Sequence, residues 1–120
     1  YLNKNFIDFK DLGCTSLEPV DYPDYAKILS KKLKNETESM GIIFCGTGIG
    51  ISMAANRFPH IRAALCTTVE MASKSRKHNN ANVLALGGRI LEDNLALEIV
   101  KEFLFTDFEA GRHTLRVDKI

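Results

Sequence analysis

Apolar and polar residues along this 120-residue chain fall into blocks whose period changes repeatedly. In "DYPDYAKILSKKLKN" (21–35), Tyr25, Ile28, Leu29 and Leu33 recur at helical spacing with lysines between them. The pattern predicts a helix, with Pro23 tolerated before its first turn and Asp24 as its cap. "MGIIFC" (40–45) is an apolar, β-branched run and predicts a buried strand. "ISMAANRF" (51–58) returns to helical character and stops near Pro59. "IRAALC" (61–66) predicts another strand, "VEMASKSRKHNN" (69–80) a helix with an Asn-rich end, and "NVLALGG" (82–88) a further strand. "DNLALEIVKEFLFT" (93–106) carries two adjacent stripes, Leu95, Ile99, Phe103 and Ala96, Val100, Leu104, and predicts an amphipathic helix. "FIDFKDLG" (6–13) reads as a short strand ending in a turn. In the polar tail, Arg112 and Arg116 stand four apart, so a helix there points both guanidinium groups the same way.

Continuous apolar strands alternating with helices predict an α/β fold, with a parallel sheet covered on both faces. The length suits a single domain over 1–120 with one core. A doubly wound fold normally opens on a strand in the middle of its sheet. "YLNKNF" instead looks like the end of a helix already under way. An opening strand and most of a helix, roughly 20 residues at average element lengths, are therefore expected ahead of Tyr1 in the full protein.

Composition narrows the function. The 45% apolar and 26% charged fractions suit a soluble globular protein, and a net charge of +1 argues against a nucleic-acid surface. No apolar run approaches the roughly 20 residues of a membrane helix, and the opening residues carry no signal-peptide core. Three cysteines, at 14, 45 and 66, form no CxxC pair and suggest neither a disulfide framework nor a zinc site. Reduced thiols in a cytoplasmic protein are the expectation.

The chemistry concentrates in "IIFCGTGIGISMAANRF" (42–58). Ligands in open α/β sheets bind beyond the carboxyl ends of the strands, and Cys45 ends one. Gly46, Gly48 and Gly50 let backbone amides converge, and a helix starting near Ile49 adds its positive end. Such a nest favours phosphate, carboxylate or a developing oxyanion. It also favours thiolate over thiol, which suits Cys45 to removing a proton while the loop stabilises an enolate or enediolate. "GTGIG" alone is unspecific, and it also resembles the glycine loop of S-adenosylmethionine-dependent methyltransferases. That loop is usually preceded by an acid, with another ending the next strand; Phe44, Cys45 and Cys66 occupy these surroundings here.

"DYPDYA", "GIIFCGTGIGISMAAN", "IRAALC", "HNNANVLALGGR" and "FEAGRHTLRVDKI", in this order across nearly the whole chain, closely resemble the B-type ribose-5-phosphate isomerase family. That family includes the galactose-6-phosphate isomerase subunits. The resemblance implies a Rossmann-like three-layer fold, a homodimer or homotetramer, no metal and no cofactor. It implies interconversion of ribose 5-phosphate and ribulose 5-phosphate through a cis-enediolate. Hexose 6-phosphates (galactose or allose) and a silent sugar-phosphate-binding subunit stay open as alternatives. On the family's pattern, Cys45 is the base between C2 and C1, and Thr47 the hydroxyl beside it. Gly46, Thr47, Gly48, Ile49 and Gly50 form the loop at the enediolate. His78 assists ring opening, Asn79 and Tyr22 contact the sugar, and Arg89, Arg112 and Arg116 grip the phosphate. The His78 segment is implied to reach across from a neighbouring subunit. Family members also open on a strand followed by an Asp-His pair that contacts the sugar, and no such pair occurs here.

Each residue also has a plainer reading. Cys45 alone could pack as a small hydrophobe, and Asn-flanked His78 could cap a helix. Single arginines are usually solvated charges. His60, His113 and Cys14 receive only a structural reading, and Cys66 is read as core.

Overall fold

Three parallel strands, β1 (Gly41–Cys45), β2 (Ala63–Leu65) and β3 (Val83–Gly87), pair in the order β1-β3-β2. The computed structural model describes residues 1–120. Gly41 and Ala63 both pair with Val83, while Cys45 pairs with Gly87. All strands therefore start at one edge of the sheet, and Cys45 and Gly87 share the other. β3 lies in the middle, and all five of its residues are buried. Its alternation sends Val83 and Ala85 into one apolar cluster and Leu84 and Leu86 into a second on the opposite face.

α1 (Tyr22–Asn35) and α2 (Ile49–Ala55) cover the first face through Ala26, Leu33, Ile51 and Ala55. α3 (Val69–Lys77) and α4 (Asp93–Phe105) cover the second through Ala72, Ile99, Val100 and Phe103. The chain steps outward from β1 to β2 and then back to β3. A constant right-handed crossover puts α2 and α3 on opposite faces for that reason. A short α5 (Arg112–Val117) follows α4. No helix is long and apolar enough to cross a membrane.

The expected α/β class, the strands near 40–45, 61–66 and 82–88, and the four main helices are all present. Residues 6–13 are not a strand. Neither edge of the sheet pairs with them, Phe6 is 97% exposed, and an extended run without a ladder has nothing to hold it. Asp24 does not cap α1; Asp21 occupies that position without a side-chain bond, and Asp24 sits in the first turn, where its charge suits the helix's positive end. Ile28 faces solvent at 44% exposure, because the inward stripe of α1 uses the small residues Ala26 and Ser30 instead. Ser30 Oγ satisfies itself on the Ala26 carbonyl at 2.7 Å. α3 ends at Lys77 rather than Asn80, since Asn80 takes a positive φ of 47° that no helix continues. His60 and Cys66 keep their structural roles: the imidazole bonds the Ser30 carbonyl at 2.6 Å, and Cys66 is buried in the second cluster.

One arginine departs from the expectation of a solvated charge. Arg76 is buried beneath the end of α3. Its Nε donates to the Thr106 carbonyl at 3.0 Å, and Nη1 donates to Asn80 Oδ1 and the Ala81 carbonyl. Its guanidinium lies 5.7 Å from the centre of the Phe103 ring. Burial pulls its pKa down, with Asp107 opposing and Arg62 adding to the shift. This one side chain ties the end of α3, the start of β3 and the end of α4 together. Arg76→Met should lower stability by about 2–4 kcal/mol, because several acceptors lose a charged donor. Arg57→Met, at an exposed position, should change it by less than about 0.5 kcal/mol. Urea midpoints at unchanged slope measure both, and equal midpoints would show that the clamp carries no stability.

Candidate active site

Cys45 is the last residue of β1, and its loop is stitched to the end of β3. Gly88 N–H donates to the Cys45 carbonyl at 2.9 Å, and Arg89 N–H to the Gly46 carbonyl at 3.0 Å. Gly48 has φ 79°, and a Cβ there would come within 2.5 Å of Leu65 Cδ1 and 2.9 Å of the Leu86 backbone. Only glycine can make this turn against β3. The turn aims Gly48 N–H at Cys45 Sγ, 3.1 Å away, and α2 begins at the next residue. Ile49 N–H donates to Thr47 Oγ1 at 3.3 Å.

These donors decide the state of the sulfur. Partial burial pushes the Cys45 thiol up, but the amides of Ile51, Gly48 and Thr47 and the Thr47 hydroxyl outweigh it and hold its pKa below the ordinary cysteine value. Cys66 is the contrast: burial pushes its thiol up, with a bond from Ser75 opposing only in part. The converging amides thus serve the sulfur first, before any oxyanion.

Two more of the expected residues reach this edge. A Cβ on Gly50 would stand 2.5 Å from Tyr22 Oη, so the phenol packs directly on the first turn of α2. The Arg89 guanidinium lies alongside Gly46, with Nη1 3.4 Å from the position of a Cβ there. Tyr22, Cys45, Gly46, Thr47, Gly48, Ile49, Gly50 and Arg89 therefore gather at the carboxyl edge of the sheet.

His78, Asn79, Arg112 and Arg116 do not join them. α3 runs antiparallel to the strands, so its C-cap, His78, lies near the amino edge, five residues before β3 begins. Along β3 alone, the two edges are about 13 Å apart. At its own edge, His78 stacks on His113 of α5, with ring centres 4.3 Å apart and planes inclined by 14°. Glu109 N–H donates to the Lys77 carbonyl at 3.1 Å, docking the start of this segment on α3. Arg112 and Arg116 project from α5 into solvent. Burial, His78, Arg112 and Arg116 hold the His113 pKa below the usual imidazole value, with Glu109 opposing.

Sequence reasoning gave His113 no part in the site. The signal available was its place between Arg112 and Arg116. The ligand atoms of His78, Glu109 and His113 lie within 4.8 Å of one another. Nearly parallel rings, however, cannot aim both lone pairs at one ion, as a tetrahedral shell with bonds of about 2.0–2.1 Å requires. A concavity of about 410 Å³ lies between β2 and α3 and touches Cys66 and Asn79 but none of the Cys45 group.

Known proteins match this chain along its whole length. The family described as Ribose/Galactose Isomerase matches residues 1–120. Ribose-5-phosphate isomerase B of Escherichia coli is 42% identical over 120 residues, covering 100% of this chain and 80% of its own. The crystal structure of a ribose 5-phosphate isomerase from Thermotoga maritima has a TM-score of 0.96 at 49% identity, covering 99% of this chain and 82% of that one. Ribose-5-phosphate isomerase B of Mycoplasma genitalium, solved with ribulose-5-phosphate bound, has a TM-score of 0.94 at 40% identity, covering 98% and 79%. Nothing in these matches favours the methyltransferase alternative. With the family model matching residues 1–120 and relatives above 40% identity across the chain, the chain belongs to the ribose/galactose isomerase family.

Proposed function

We propose that this protein interconverts ribose 5-phosphate and ribulose 5-phosphate, a step of the pentose phosphate pathway, with Cys45 as the base. The observation that carries the reading is a half-buried thiol at the carboxyl edge, surrounded by amides that favour its anion. The thiolate takes the proton from C2 of the open aldose and returns it to C1, while the O2 hydroxyl proton passes to O1. Between the two transfers, charge rests on the enediolate oxygens. As sulfur becomes neutral, the loop donors of residues 46–50 and the Thr47 hydroxyl are released to face that oxyanion. The proton and electron pair stay within one molecule, so the reading assigns no metal and no cofactor.

Ribose 5-phosphate must first open. His78 is the acid that protonates the ring oxygen, with Asn79 and Tyr22 orienting the sugar. Arg89, Arg112 and Arg116 hold the phosphate by charge-assisted bonds, which positions C2 against the base. The placement of Cys45 and His78 at opposite edges supports a site shared between two copies. A second chain would bring His78, Asn79, Arg112 and Arg116 to the Cys45 loop of the first. The isologous dimer forms two such sites, each drawing on both chains.

Alkylation of Cys45 by iodoacetamide should follow a pH midpoint below the ~8.5 of free cysteine. Thr47→Val removes a donor to the anion and should raise that midpoint; a midpoint at or above the free value would remove the base from the mechanism. Cys45→Ala and His78→Ala should each lose about a hundredfold or more in ribose 5-phosphate turnover. Mixing and re-equilibrating the two variants should restore about a quarter of wild-type activity, since half the dimers then carry one intact site of two. A mixture as inactive as its parents would place the whole site within one chain.

A further inference from the structure

We infer that His113 is a positioning residue for ring opening: its buried ring is the platform that holds His78 in one orientation beside the phosphate-gripping arginines. The inference rests on the isomerase reading above and extends it to a residue that reading does not use. The His78 ring is fixed by a flat neighbour, 4.3 Å away and nearly parallel, rather than by a hydrogen bond. His113 is only 7% exposed and so cannot itself reach a sugar.

The backbone is shaped to put it there. Ala110 and Gly111 both adopt positive φ, 57° and 56°, a sharp reversal immediately before α5. Positive φ is costly for alanine and persists only where the surroundings impose it. After the reversal, His113 N–H bonds the Ala110 carbonyl at 3.0 Å, and Glu109 Oε2 stands 3.9 Å from His113 Nε2. One six-residue helix thus turns His113 inward against His78 while Arg112 and Arg116 face out. A phosphate gripped by those arginines immobilises the helix on which His78 leans.

Charge fits the same role. His113 is surrounded by His78, Arg112 and Arg116, with Glu109 as its single acidic neighbour, and its lowered pKa keeps it neutral near neutral pH. A neutral ring adds no charge beside the arginines and keeps a flat face for the His78 ring.

The test separates ring opening from proton abstraction in the full protein. Ribulose 5-phosphate has no furanose ring to open, so exchange of its C1 hydrogen in D2O, followed by NMR, needs only the base. His113→Leu fills the volume without a flat face, and His113→Phe restores the face without ionisable nitrogens. His113→Leu should lower ribose 5-phosphate turnover by about ten- to a hundredfold while C1 exchange stays within about twofold of wild type. His113→Phe should recover most of the lost turnover. Unchanged turnover in His113→Leu, an equal fall in turnover and exchange, or a His113→Phe as impaired as His113→Leu would each overturn the inference. Cys45→Ala is the separate control: retained C1 exchange there would sink the base assignment, whatever His113 does.

Discussion

The carbonyl oxygen of Thr47 lies where a side chain on Gly87 would be, 2.6 Å from the position of its Cβ. The loop that carries Cys45 therefore rests directly on the end of the central strand, and the electrostatics of the site depend on that contact. A methyl group at residue 48 or 87 would lift the loop and turn the Gly48 amide away from sulfur. Hydrogen bonds to a charged group contribute about 1.5–3 kcal/mol each, and one pKa unit corresponds to about 1.4 kcal/mol. Several donors around a thiol that is only partly buried outweigh its desolvation.

The parallel sheet imposes a second constraint. Helices that connect parallel strands run back against them, so each helix delivers its amino end to the carboxyl edge of the sheet and its carboxyl end to the other. α2 brings its positive end to Cys45 for this reason, and α3 must take His78 away from it. Cys45 and His78, on consecutive β-α units of this topology, therefore end at opposite edges of one subunit, and no side-chain change within the fold would bring them together.

This division explains what could be read from the sequence. The glycine loop, the α4 stripes and the core strands were legible because local spacing alone specifies them. Residues 6–13 have the composition of a strand but no partner here, and a strand is a property of a pair. Burial escapes the sequence pattern because it depends on what the opposite helix offers: Arg76 meets three carbonyl or amide oxygens, while Ile28 meets water. His113 was invisible because its partner, His78, lies 35 residues away, and no pattern of period 3.6 links them.

The cationic end of the molecule shows why those two histidines sit together. Net charge is only +1, so positive potential near α5 comes from local placement of Arg112 and Arg116 rather than from bulk excess. A protonated His113 would put an imidazolium ring beside two guanidinium groups, each opposing it. Burying the second ring prevents this, because desolvation penalises its charged form and not its shape. A neutral His113 leaves the cationic charge of this end on the two exposed guanidinium groups, where an anion can reach it.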